Sequence, residues 1–176
     1  MADEKKYVDP NPFADYGAAM KSTPGNPMAV EWQNAQEAAL VAATSDAALE
    51  ACVATPAAAE ALLAQLKGAY DTDPLVMTQI AAVTQYVMTF LVGKKGCGGV
   101  CRQKNGPRCR RGLWQGALLK ACAATRDAYV QTFLLDQLRW CGCGRHVAAV
   151  RALVPVAAEV KSYIAWTASE IDGSAF

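Results

Sequence analysis

The stretch TPAAAEALLAQLKGAYDTDPLVMTQIAAVTQYVMTFLVG, residues 55–93, decides the fold class. Thr55-Pro56 combines an N-cap hydroxyl with proline at the first helical position, where a missing N–H costs nothing. Leu62, Leu63 and Leu66 then form a helical stripe that stops near Gly68. Asp73-Pro74 repeats the start signal. Val76, Ile80, Val83, Val87 and Leu91 follow at steps of 4, 3, 4 and 4, the spacing of a helix that buries one face. Two helices joined by a short connection make a helical hairpin.

Working outward, the same grammar returns on both sides. Toward the C-terminus, helical spacing resumes at Leu113, Trp114, Ala117, Leu118 and Ala121. A turn capped near Thr125 leads to Val130, Phe133, Leu134, Leu138 and Cys141. The glycine-bearing break 142–144 precedes Val147, Val150 and Leu153, and Pro155 is expected to open a last helix with Val156, Val160, Ile164, Ala168 and Ile171. Toward the N-terminus, Pro27 to Ala43 reads as a helix with Val30, Trp32, Ala35, Ala39 and Leu40 near one side. Asp46 is expected to cap a short helix presenting Leu49, Cys52 and Val53. Residues 1–26, with Pro10, Pro12 and Pro24 and little periodicity, read as an irregular arm.

The whole chain has 176 residues, enough for one domain with a real core. Apolar residues make up 53%, which excludes a disordered chain, and much of that share is alanine, the best helix former. The formal net charge of +1 conceals an asymmetry. Lys94, Lys95, Arg102, Lys104, Arg108, Arg110 and Arg111 fall within an acid-free insertion, 94–111. Taking those seven cations from +1 leaves the rest of the chain at −6. No run of eighteen apolar residues marks a membrane span. The start Met1-Ala2-Asp3-Glu4-Lys5-Lys6 carries no apolar signal region. It is also what an exported chain would show after its leader was replaced by an initiator Met, so periplasmic and cytoplasmic locations both stay open.

The hairpins correspond to one another. Pro74-Leu75-Val76, Ala128-Tyr129-Val130 and Ala158-Glu159-Val160 each stand early in the second helix of a pair. Val130 to Val160 is 30 residues; Val76 to Val130 is 54, or 36 without the insertion of 18, and both suit a two-helix repeat. From Ala128 to Ile171 the order of second helix, glycine turn, short helix VAAVRAL and then EVKSYIAWTASEI resembles the bacterial HEAT-repeat pattern, with Val160-Lys161 at the valine–basic start of a second helix. Ala57 to Met88 fits more loosely. The resemblance implies an all-α, right-handed stack of about four helical hairpins over 27–172, an α-solenoid that binds proteins, or sometimes nucleic acid, along a face or edge.

Chemistry concentrates in two connections. Cys97-x3-Cys101-x7-Cys109 lies in the insertion, and Cys141-x-Cys143-x2-His146 in the next glycine turn. Both join a second helix to the following first helix, and in a helical stack such connections emerge on one edge. Five cysteines and the single histidine are therefore expected to converge as a cross-link. Disulfides, a structural zinc ion and free thiols remain alternatives, because these spacings differ from the paired Cys-x2-Cys knuckle. Cys52 and Cys122 fall on helical faces and read as small packing residues. Trp32, Trp114, Trp140 and Trp166 all lie in helical stretches and are expected to pack between helices.

The seven cations form a basic ledge for a partner. They could contact phosphates, but the segment from Lys94 holds no aromatic residue for base stacking until Trp114. No phosphate-binding glycine loop, zinc-protease helix, nucleophile elbow or second histidine is present, so neither catalysis nor a cofactor other than that zinc ion is expected. The sequence thus favours a protein–protein interaction or scaffolding module, with nucleic-acid binding through 94–111 as the alternative.

Overall fold

The structure, a computed structural model, describes residues 27–95 and 110–173. The arm 1–26 and insertion residues 96–109 lie outside the described residues. Among the described residues every regular element is helical, and there is no strand. The chain divides into two compact units between Ala39 and Leu40, inside the first helix, α1 (Pro27–Ala43). In the first unit, every described side chain from Trp32 to Ala39 is exposed. Trp32, Ala35 and Ala39 of the expected apolar side are thus uncovered in that unit, and alanine propensity rather than burial of these residues accounts for the helix there.

The second unit holds α2 (Asp46–Cys52), α3 (Pro56–Leu63), α4 (Pro74–Lys95), α5 (Arg110–Ala124), α6 (Ala128–Cys141), a 3₁₀ turn (Gly144–His146), α7 (Val147–Arg151) and α8 (Ala158–Gly173). Caps set several boundaries. Thr55 Oγ1 accepts from Ala58 N at 3.1 Å, with Pro56 opening α3. Asp73 Oδ1 accepts from Leu75 N at 2.9 Å at the start of α4. Two caps fall elsewhere than the sequence suggests. Ser45, not Asp46, caps α2 by accepting from Ala48 N. Asp127, not Thr125, caps α6, because its carboxylate reaches Val130 N at 2.9 Å while Thr125 Oγ1 accepts from Asp127 N at 3.2 Å. Thr125 therefore shapes the turn one step before the cap.

Pro155 does not open the last helix. Val156 N donates instead to the buried amide oxygen of Gln131 at 2.9 Å, which holds 153–157 as a connection until α8 begins at Ala158. Gln131 completes this staple by donating to Val154 O at 3.0 Å and Cys122 O at 3.2 Å. Three segments meet on one side chain with no exposed area.

Packing follows the alternation of helices. The second members α2, α4, α6 and α8 lie side by side in that order, and of the first members α3 packs on α5. The α5–α6 hairpin is antiparallel: Gln131, early in α6, meets Cys122 near the end of α5, while Gln115, early in α5, meets Cys141 at the end of α6. Between these layers lie the fully buried Ile80, Val83, Val87, Trp114, Leu118, Leu134 and Leu138. Trp114 satisfies its indole N–H on Thr84 Oγ1 at 3.1 Å. At the far side Val160, Ile164, Ala168 and Ile171 carry α8 onto the core. Leu66, Phe133 and Leu153 are half-buried at the core's margin. No described helix is long and apolar enough to cross a membrane.

Candidate functional site

The glycine turn after α6 gathers three of the expected site residues. Gly142 sits where any side chain would collide: a Cβ there would lie 2.5 Å from Leu138 O and 2.7 Å from Ile171 Cδ1. This close approach lets the chain leave α6 over α8. Cys143 Sγ then lies 3.3 Å from His146 Nδ1 and 3.9 Å from Gln115 Oε1. Gln115, fully buried on α5, donates its amide N–H to Cys141 O, which turns its oxygen toward Cys143. Arg111 binds the same turn through Nε to Cys141 O and Nη2 to Gly142 O, both at 3.2 Å.

These surroundings divide the residues chemically. Burial pushes the Cys141 thiol up to about 12, so it acts as an inert packing group. Cys122 is likewise pushed up to about 12 by burial. His146 is lowered to about 4, first by burial and then by the nearby charges of Arg145 and Arg111, so its ring is neutral at physiological pH. Cys143 and His146 are partly exposed, whereas Cys141 is sealed.

The described end of the basic insertion meets this turn through Arg111. Arg110, beside it, forms an ion pair with Glu50. Arg111 is therefore held by the fold's backbone, whereas the Arg110 pair lies at the surface. Cys97, Cys101, Arg102, Lys104, Arg108 and Cys109 lie outside the described residues, as do the side chains of Lys94 and Lys95, whose backbone closes α4. No three of the described His, Cys, Asp and Glu residues converge as a metal-binding group. Cys122 packs in the core as expected, while Cys52 is half-buried.

A second cluster was not anticipated, and it corrects the expectation that all four tryptophans pack between helices. Only Trp114 does so; Trp32, Trp140 and Trp166 are 64%, 63% and 42% exposed. Trp140 on α6 and Trp166 on α8 share one guanidinium. Arg139 Cζ lies 5.3 Å from the Trp140 ring centroid and 4.6 Å from that of Trp166. Tyr163 meets Trp166 edge to face at 5.2 Å and donates its hydroxyl to Asp136 Oδ1 at 2.8 Å. The same carboxylate oxygen accepts from Arg139 at 3.2 Å. Aromatic rings, cation and carboxylate thus brace one another across two helices. The signal was present in the sequence: Trp140 falls off the stripe Leu134, Leu138, Cys141, and Trp166 off the stripe Val160, Ile164, Ala168, so both must face outward.

A groove of about 340 Å³ also opens between α3 and α5. Leu63, Ala117, Val130 and Leu134 supply apolar lining, and Glu60 and Lys120 pair across the two helices at 2.9 Å. An exposed pair of this kind contributes little stability, at most about 1 kcal/mol.

Comparison of the chain with protein-family models, with curated proteins and with solved structures returned no match.

Proposed function

We propose that this chain is a non-catalytic protein–protein interaction module, its hairpins a HEAT-like stack that presents second-helix side chains to a partner. The observation that carries this reading is the exposed Trp140–Arg139–Trp166 arrangement. Tryptophan, tyrosine and arginine dominate binding hot spots because they bury much area for little conformational entropy. Here the three types are held ready: Arg139 is fixed by Asp136, and Tyr163 supports Trp166. Order in the unbound state removes part of the entropic cost of association. The alternative, nucleic-acid binding through 94–111, draws no support from Arg111, whose guanidinium is taken up by the Cys141 and Gly142 carbonyls, while Arg110 pairs with Glu50 at the surface.

The test places a photo-crosslinker at Ser162, exposed on α8 one residue before Tyr163, in cells of the source organism. A discrete protein adduct is expected. Purified partner should bind Trp166→Ala and Trp140→Ala about thirtyfold more weakly, the loss of a ~2 kcal/mol hot spot. Tyr70→Ala, at a fully exposed aromatic outside the cluster, should bind normally. Unchanged binding in both tryptophan variants with helical content intact would sink the proposal. A salt-sensitive nucleic-acid shift without a protein adduct would favour the alternative.

A further inference from the structure

The Trp140–Trp166 cluster has the make-up of a cation seat, and the chain's own Arg139 sits in it. Resting on the interaction reading above, we infer that this seat receives an arginine side chain of the partner protein, with Arg139 as its placeholder in the unbound state. The guanidinium carbon of Arg139 lies over both indole rings, 5.3 Å from the Trp140 centroid and 4.6 Å from that of Trp166, inside the ~6 Å reach of a cation–π contact. Tyr163 braces Trp166 edge to face, and Asp136 Oδ1 accepts from Arg139 Nη2 at 3.2 Å. Two rings and a carboxylate around one point suit a planar guanidinium, which stacks with its faces and donates with its edge. An ammonium ion, a compact point charge, uses the carboxylate but not the stacking.

The resident cation fits imperfectly. Its Nε is buried with no hydrogen-bond partner among the described residues, and a buried donor left unpaired is destabilising. Its hydrogen bond to Asp136 runs through Nη2 alone. A guanidinium arriving from outside is free of the α6 backbone, so it can turn its edge to the Asp136 carboxylate and form a bidentate pair. The seat is open to approach, because Trp140 and Trp166 are exposed and Arg139 is only half-buried. Arg139 also has a place to go. It belongs to the last turn of α6, where free carbonyls and the helix dipole favour a cation. Until displaced it holds the two rings in position, so the partner meets a formed seat and loses less entropy on binding.

The experiment uses the full chain with Arg139→Ala, which empties the seat, and reads tryptophan fluorescence during titration with ethylguanidinium, the end of an arginine side chain. Saturable binding is expected, at least about tenfold tighter than in the unaltered chain, where the resident guanidinium leaves the seat free in a small fraction of molecules. Ethylammonium should bind more weakly, and Asp136→Asn added to Arg139→Ala should weaken ethylguanidinium. Helical circular dichroism checks each variant, and Arg139→Gln, shorter and uncharged, takes the place of an alanine variant that loses helix. The partner captured at Ser162 gives the second arm: Arg139→Ala should bind it severalfold more tightly than the unaltered chain. Unchanged or weaker partner binding by Arg139→Ala, with both tryptophan variants weakened, would leave the interaction reading standing and refute this inference. Unchanged partner binding in both tryptophan variants would sink that reading and the inference with it. The inference also falls if folded Arg139→Ala shows no saturable ethylguanidinium binding, binds it no better than the unaltered chain, or takes ethylammonium equally well.

Discussion

Replacing Gln131 by Leu should unfasten the last helix. The side chain is buried without exposed area and makes three hydrogen bonds, to Cys122 O at 3.2 Å, Val154 O at 3.0 Å and Val156 N at 2.9 Å. Leucine fills similar volume, so the cavity term stays small and the polar groups decide the outcome. Cys122 is 0% exposed, and a buried carbonyl left without its partner costs about 1–3 kcal/mol. Val154 is 75% exposed, so water can replace the amide there, and Val156 is only half-buried. Each of those two bonds is worth about 0.5–1.5 kcal/mol net. The expected loss is roughly 2–6 kcal/mol, read as a lower urea midpoint with an unchanged slope. Hydrogen exchange supplies the local test: the Val156 amide should lose its protection while Leu134 and Leu138 keep theirs. Because the staple positions α8 against α6, Trp166 fluorescence should also change as its contact with Arg139 loosens. A midpoint shift below about 0.5 kcal/mol with Val156 still protected would refute the reasoning.

Leu134→Ala removes a fully buried side chain from α6 and should cost about 2–5 kcal/mol in the same urea assay. Gly142→Ala forces a methyl toward Leu138 O and the Ile171 side chain; it should cost about 1–3 kcal/mol and loosen α8, visible as lost amide protection there. The Cys122 thiol, pushed up to about 12 by burial from an ordinary 9.0, keeps its proton in the folded state while the unfolded chain releases it. Its contribution to stability is therefore full below pH 9 and lost as pH rises from 9 to 12. A Cys122→Ala variant should show a shallower decline over that window than wild type, and iodoacetamide should label Cys122 only on unfolding.

The site was legible in part because its signals were local. Cys141, Cys143 and His146 stand within six residues, so their proximity needed only a turn. Gln115 was not legible. It is 28 positions before Cys143, and nothing in its neighbourhood separates a buried glutamine from a solvent-facing one. The tryptophans failed for a related reason. Helical context alone was taken to mean packing, whereas phase within the helix decides which side a ring occupies.

What the sequence alone determined is the set of hairpins. Caps at Thr55 and Asp73, the stripe from Val76 to Val87 and that from Val130 to Leu138 act within a few residues, over distances at which backbone sterics and side-chain periodicity suffice. Tertiary structure decided the rest. Pro155 looked like a helix start until Gln131, 24 positions upstream, captured the next amide. Arg139 became the centre of an aromatic cluster only when α8 brought Trp166 against it. Such outcomes depend on which polar group a buried donor or acceptor meets. That choice belongs to the packing of distant helices, where an unpaired group would be costly, and local sequence carries no record of it.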